Sequence, residues 1–145
     1  RSSDLVTAAR QEVIAQWLTP LRQSALRPAV FELTTHALAL AARAAGLKDD
    51  AALLIGHDAH WLWYSRASES VVGSASLEIA PEEVRQRCFP QASTLYGCAP
   101  SPDLLPDAFF SFSPFSLFAY RQPPLPQQEA AFCIAAGLAL RPEDS

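Results

Sequence analysis

An α/β protein, with a mixed sheet and flanking helices, is what this sequence predicts, on three observations. Three strand-like runs, "AALLIG" (51–56), "WLWYS" (61–65) and "SVVGSASLEI" (70–79), follow one another at hairpin spacing. Further strand-like runs, "STLYG" (93–97) and "AFFSFS" (108–113), alternate after them with helical segments. The last helical stretch, "AAFCIAAGLALRP" (130–142), is made almost wholly of small and aliphatic side chains. A helix with so little polar surface needs a sheet to lie against, and Ala135, Ala136, Gly137 and Ala139 allow close backbone approach.

The first third of the chain reads β-α-β-α. Residues 4–9, "DLVTAA", are strand-like, and residues 10–25 put Val13, Ile14, Trp17, Leu18 and Leu21 on one helical face. Pro20 lies inside that pattern and removes a hydrogen bond to Gln16, which predicts a kink or two abutting helices. "PAVFEL" (28–33) is a second strand-like run. Thr34 or Thr35 is placed to cap the next helix, which runs to Gly46 as its C′ residue.

From Ala51 the order becomes β-β-β-α-β-(turn)-β-α. In the third strand Val71, Gly73, Ala75, Leu77 and Ile79 alternate with more polar neighbours, as in a half-exposed antiparallel strand. Pro81 opens a short helix, with Glu82 and Glu83 in the first turn and Arg85 and Arg87 nearer its end. This is the order of an RNase H-like unit whose second helix is nearly erased. The preceding β-α-β-α matches the end of an identical unit, and two such units in tandem make an actin-like fold. The expected organisation is therefore residues 1–47 as the end of a first actin-like half and residues 48–145 as a second, reduced half. The absence of methionine, with Arg1–Ser2–Ser3 at the start, fits a chain cut from something longer. A half-unit lacking its meander has an open strand edge, so self-association through residues 1–47 is expected.

Composition narrows the function classes. Of 145 residues, 50% are apolar and 18% charged, which is globular rather than disordered. A net charge of −4 with scattered arginines argues against a nucleic-acid groove. Cys88, Cys98 and Cys133 are odd in number and far apart, without metal-ligand spacing, and read as free thiols in a reducing, cytoplasmic setting. The longest apolar run falls short of the roughly 20 residues of a membrane span.

Residues 6–45 resemble the strand–helix–strand–helix segment of PilM-type pilus assembly proteins, and "AAFCIAAGLALRP" resembles their terminal helix. "HWLWYSR" (60–66), "RQPPLP" (121–126) and "AAGLAL" (135–140) together resemble the enterobacterial DNA-utilisation branch of that family. The resemblance implies an actin-like adaptor at the cytoplasmic side of the inner membrane, without insertion into it. Its implied partner is the cytoplasmic tail of a PilN-like inner-membrane protein. Its implied setting is type IV pilus-like assembly, DNA uptake or DNA utilisation.

Actin-like ATPases carry a phosphate loop between the first two strands of each half, with an Asp and glycines, because N–H groups must approach phosphate closely. PilM relatives have "D-I-G" there, whereas this chain aligns Ile55, Gly56 and His57, with Asp58 following at the hairpin tip. The glycine pair expected under adenine reads Gly97–Cys98. Gly56, His57, Asp58 and Gly97 thus outline a degenerate nucleotide site. The expectation is a scaffold with no cofactor and no catalysis; an ATP-binding switch is the alternative. His57, Asp58 and His60 lie close in sequence without a third ligand, so no metal is expected. Strand 51–56 has no carboxylate for two-metal nuclease chemistry. Pro123 to Pro126 forms a PxxP that reads as a stiff spacer. Phe115 and Phe118, in a loop rich in aromatics, are the candidates for a partner-facing patch.

Overall fold

The computed structural model describes residues 8–28, 32–117 and 128–142. The chain divides into two compact units, Arg1–Phe31 and Glu32–Ser145.

The first unit contains helix α1 (Gln11–Gln23). It runs through Pro20 as one helix, not as the two abutting helices that the proline allows. Its end is built without glycine. The Ala25 N–H donates to the Arg22 carbonyl and the Leu26 N–H to the Leu21 carbonyl, and Ala25 takes the left-handed conformation at φ 60°. None of the residues of α1 is buried, and Trp17 is 60% exposed. The strand expected over 4–9 falls mostly outside the described residues, and residues 8–10 are not strand. Of the strand expected over 28–33, residues 29–31 lie outside them too, and residues 28, 32 and 33 are not strand.

The second unit opens with α2 (Thr34–Ala44). Neither Thr34 nor Thr35 caps it: Leu33 is the N-cap and no side chain bonds there. Its other end matches expectation. The Gly46 N–H donates to Arg43 O and the Leu47 N–H to Ala42 O, with Gly46 at φ 70°, where a Cβ would be strained.

Five strands follow: β1 (Ala51–His57), β2 (His60–Ser65), β3 (Val72–Ser76), β4 (Thr94–Cys98) and β5 (Phe109–Ser111). Their order is β3-β2-β1-β4-β5. The β1–β2 and β2–β3 pairs are antiparallel, as the hairpin spacing predicts, and β4 and β5 join as parallel strands. β1 is central and buried from Ala51 to Gly56, which is why it reads as a continuous apolar run. β3 is shorter than the run 70–79. Leu77 instead donates its N–H to Ala59 O, and the Ile79 carbonyl accepts from the Trp61 indole at 2.8 Å.

Helix α3 (Pro81–Cys88) and helix α4 (Glu129–Ala139) complete the unit. α3 starts on Pro81 and carries Arg85–Glu82 and Arg87–Glu83 ion pairs at 2.7 and 2.5 Å. Leu38, Ala39 and Ala42 of α2 and Ala130 and Cys133 of α4 pack on Leu53, Ile55, Leu62 and Tyr64. The opposite face, with Ala52, Leu54, Trp61, Trp63 and Leu95, is closed by Val84 of α3 and by Phe89, Ala92 and Leu105.

Two expectations change here. Gly137 approaches a helix rather than the strands, for a Cβ built on it would stand 1.7 Å from the Ala37 carbonyl oxygen of α2. The small residues of α4 serve a helix–helix contact because α2 and α4 share one face. The division also falls at Phe31/Glu32 instead of 47/48, because Leu38, Ala41 and Ala42 are fully buried within the second unit. The apolar face of α2 is therefore covered within the second unit.

Candidate functional site

β1 and β4 run parallel with Ile55 opposite Cys98, so the predicted site residues Gly56, His57, Asp58 and Gly97 gather at one end of the sheet. Ligands of open α/β sheets lie at this carboxyl end of the strands. The geometry at that end decides what fits there.

His57 pairs with His60, so the connection is a two-residue turn of Asp58 and Ala59, with φ values of 50° and 60°. Both central residues are left-handed, as in a type I′ hairpin. The His60 ring donates from Nδ1 to the Asp58 carbonyl at 2.7 Å and closes the tip further. A phosphate cradle uses a run of consecutive backbone N–H groups, and this turn leaves only two residues beyond the ladder.

The glycine surfaces are occupied as well. A Cβ on Gly56 would meet Pro100 Cδ at 3.0 Å and the side chains of Leu77 and Trp61 at 3.2 Å. One on Gly97 would meet the Leu54 carbonyl oxygen at 2.9 Å and Leu105 at 3.0 Å. Both glycines are thus closely packed, Gly56 by side chains and Gly97 by a backbone oxygen and Leu105. Among the described residues, no group of three or more His, Cys, Asp or Glu side chains stands ready to hold a metal ion.

A second feature lies on α4. Phe115, in the 3-10 turn Pro114–Leu117, is half-buried with its ring centroid 4.9 Å from that of Phe132. Pro114, Phe115, Phe132, Ala135, Ala136 and Ala139 line an apolar groove of about 220 Å³. Phe118, the other aromatic singled out in the sequence, lies outside the described residues, as does the PxxP segment. Phe132 escaped sequence reasoning although the signal was present. Residues 132, 135, 136 and 139 follow the i, i+3, i+4, i+7 rule of one helix face.

Beside β4 and β5, a cavity of about 480 Å³ is lined by Lys48, Thr94, Tyr96, Ser111, Ser113 and Ser116, with Gly46 and Phe112 among its neighbours. Ser113 also bonds Glu129, whose carboxyl burial nonetheless holds above the ordinary range. A third hollow lies beside Glu32, which accepts from His36 Nδ1 at 3.2 Å and faces Arg141 Nε at 3.8 Å.

The thiols are not far apart in space. Cys98 and Cys133 are both buried, with their sulfurs 3.7 Å apart. The hydrogen bond to Cys98, and then burial, push the Cys133 thiol far above the usual range. Cys88 is half-buried and packs on the other face of the sheet; burial raises it too, against the nearby Arg87 charge.

No protein-family model matches this chain, and no curated protein or solved structure matches it either.

Proposed function

We propose that this chain carries the second half of an actin-like, PilM-type scaffold, closest in kind to the HofM branch that serves DNA utilisation. The single observation behind the reading is the sheet order β3-β2-β1-β4-β5, with only β2 antiparallel to both its neighbours and helices on both faces. That is the arrangement expected of an RNase H-like unit, two of which make an actin-like fold. The sequence likeness over 6–45, 60–66, 121–126 and 135–140 supplies the family.

On this reading the protein is a non-catalytic adaptor at the cytoplasmic face of the inner membrane. It couples the cytoplasmic tail of a PilN-like membrane protein to a pilus-like or DNA-uptake machine. No helix among the described residues is long and apolar enough to cross a membrane; on this reading the membrane link belongs to the partner. Phe115 and Phe118 are assigned to that partner's tail, and the groove between Phe115 and Phe132 would receive one of its apolar side chains. Residues 1–47 are assigned to self-association, which the exposed Val13 and Trp17 on α1 favour. The scaffold is preferred to an ATP-binding switch because Gly56 and Gly97 are both closely packed.

Calorimetric titration tests both parts. A synthetic peptide of a PilN-like cytoplasmic tail should bind saturably, and Phe115→Ala should weaken it by about tenfold. No heat with any such peptide overturns the partner assignment. A saturable response to Mg-ATP overturns the scaffold and restores the nucleotide switch.

A further inference from the structure

Two cysteines separated by 35 positions meet inside the second unit, where Cys98 closes β4 and Cys133 lies on the inner face of α4. We propose that Cys98 and Cys133 form a modification site, a thiol pair that a hydroperoxide converts to an internal disulfide fastening α4 to the sheet.

The geometry carries the proposal. The sulfurs are 3.7 Å apart, within hydrogen-bond distance for sulfur, across the boundary between β4 and α4. A bond requires about 2.0 Å, so oxidation must draw the two sulfurs together by about 1.7 Å. Both belong to one apolar cluster with Leu38, Ile55 and Phe112, where no other thiol competes. Cys88 packs with the cluster on the opposite face, so the sheet separates it from the pair. Buried cysteines commonly act as small apolar fillers. Filling alone does not bring two sulfurs from a strand and a helix into contact.

Accessibility sets the order of events. Cys98 is 5% exposed and Cys133 is fully buried, so the small oxidant reaches Cys98 first. Either sulfur can donate in their contact, and exposure singles out Cys98 as the group that a small oxidant reaches. Cys98 releases its proton to solvent and attacks one oxygen of hydrogen peroxide. The O–O bond breaks, hydroxide leaves and is protonated to water, and Cys98 becomes a sulfenic acid. The Cys133 sulfur then attacks the Cys98 sulfur. The S–S bond forms as the S–O bond breaks, and the departing hydroxide takes up the Cys133 proton. In sum, two thiols and one hydrogen peroxide give one disulfide and two waters.

The experiment uses the full chain carrying Cys88→Ser, so that any internal disulfide must join the proposed pair. After hydrogen peroxide, the intact mass should fall by about 2 Da, and the thiols counted after unfolding should drop from two to none. A peptide pair linking residues 98 and 133 should appear. The thermal midpoint should rise by roughly 5 °C or more, because the bridge constrains the unfolded chain, and dithiothreitol should reverse the shift. On the same background, Cys133→Ala should strand the intermediate, giving a dimedone adduct at Cys98. Two thiols persisting in the Cys88→Ser chain, a gain of about 16 Da without a bridge, or a bridge between chains only would each overturn the proposal. The Cys88→Ser arm decides the matter by itself if the Cys133→Ala chain does not fold.

Discussion

Against one face of the sheet lie two helices, which set Leu38, Ala39 and Ala42 of α2 and Ala130 and Cys133 of α4 on the strands and meet where Gly137 lies on Ala37. Against the other lie one eight-residue helix and a set of loop side chains, with Trp61, Trp63 and Phe89 filling the space. Trp63 and Phe89 stack there at a centroid distance of 5.8 Å. Backbone closeness covers the first face, and side-chain volume covers the second. The difference predicts where each side is most sensitive: the α2–α4 contact to an added atom, and the aromatic face to lost volume.

The largest test removes volume from the aromatic face. Phe89 is fully buried, so Phe89→Ala should destabilise the protein by about 3–5 kcal/mol in denaturant titration. A loss below about 1 kcal/mol would mean that the loops collapse into the gap and that aromatic volume is not what holds this face.

Adding a single methyl to the helical face comes next. In Gly137→Ala the new carbon would stand 1.7 Å from a backbone oxygen of α2, and a backbone cannot step aside as a flexible side chain can. The cost should be about 3 kcal/mol, at the upper end for overpacking, and Gly137→Leu should cost more. An unchanged melting point for Gly137→Ala would break the comparison outright, since α2 and α4 would not then be in backbone contact.

A third substitution touches neither face and should raise stability. Asp58 and Ala59 form a turn in which both residues have positive φ, and alanine suits that conformation poorly. Ala59→Gly should gain about 1 kcal/mol by removing the left-handed Cβ penalty, net of the glycine entropy cost. No gain in melting temperature would argue that the hairpin closes with another turn.

The smallest expected effect is electrostatic and belongs to the start of α4. Burial holds the Glu129 carboxyl above its ordinary range, with the Ser113 hydroxyl opposing. A raised carboxyl binds a proton more tightly when folded than when unfolded. Its contribution therefore favours the folded state at low pH and is lost as pH rises through the carboxylate range. Because the group is largely solvated, the change should be slight. Thermal melts across that range should show Glu129→Gln with a flatter profile than the parent. An identical profile would remove Glu129 as the cause.

Much of this arrangement was legible in the residues, and its limits have physical causes. Hairpin spacing and apolar runs located all five strands and their directions, because the period and length of each run are local properties. The tip at Asp58 was legible for the same reason. What local pattern could not supply was which surface a helix chooses. The small side chains of α4 announced a close approach but did not say to what, and Gly137 met Ala37 rather than a strand. The same limit hid Phe132 beside Phe115 and Cys98 beside Cys133, pairs made by elements distant in the chain. Capping was misjudged at Thr34 because a hydroxyl at the right position still has to turn toward the helix, and Leu33 took the place instead.

The contact between Ala37 and Gly137 also bears on how the chain reaches its native state. The two residues are roughly 100 positions apart, so α2 is made long before the helix that becomes its neighbour. While a ribosome makes the sheet, the apolar flank of α2 waits uncovered, and the nascent chain can close it only after α4 emerges. Closing so long a loop carries a large entropic cost before any contact rewards it, which favours slow, late docking of α4 over stepwise folding. A chaperone that shields α2 during synthesis would act at this interval.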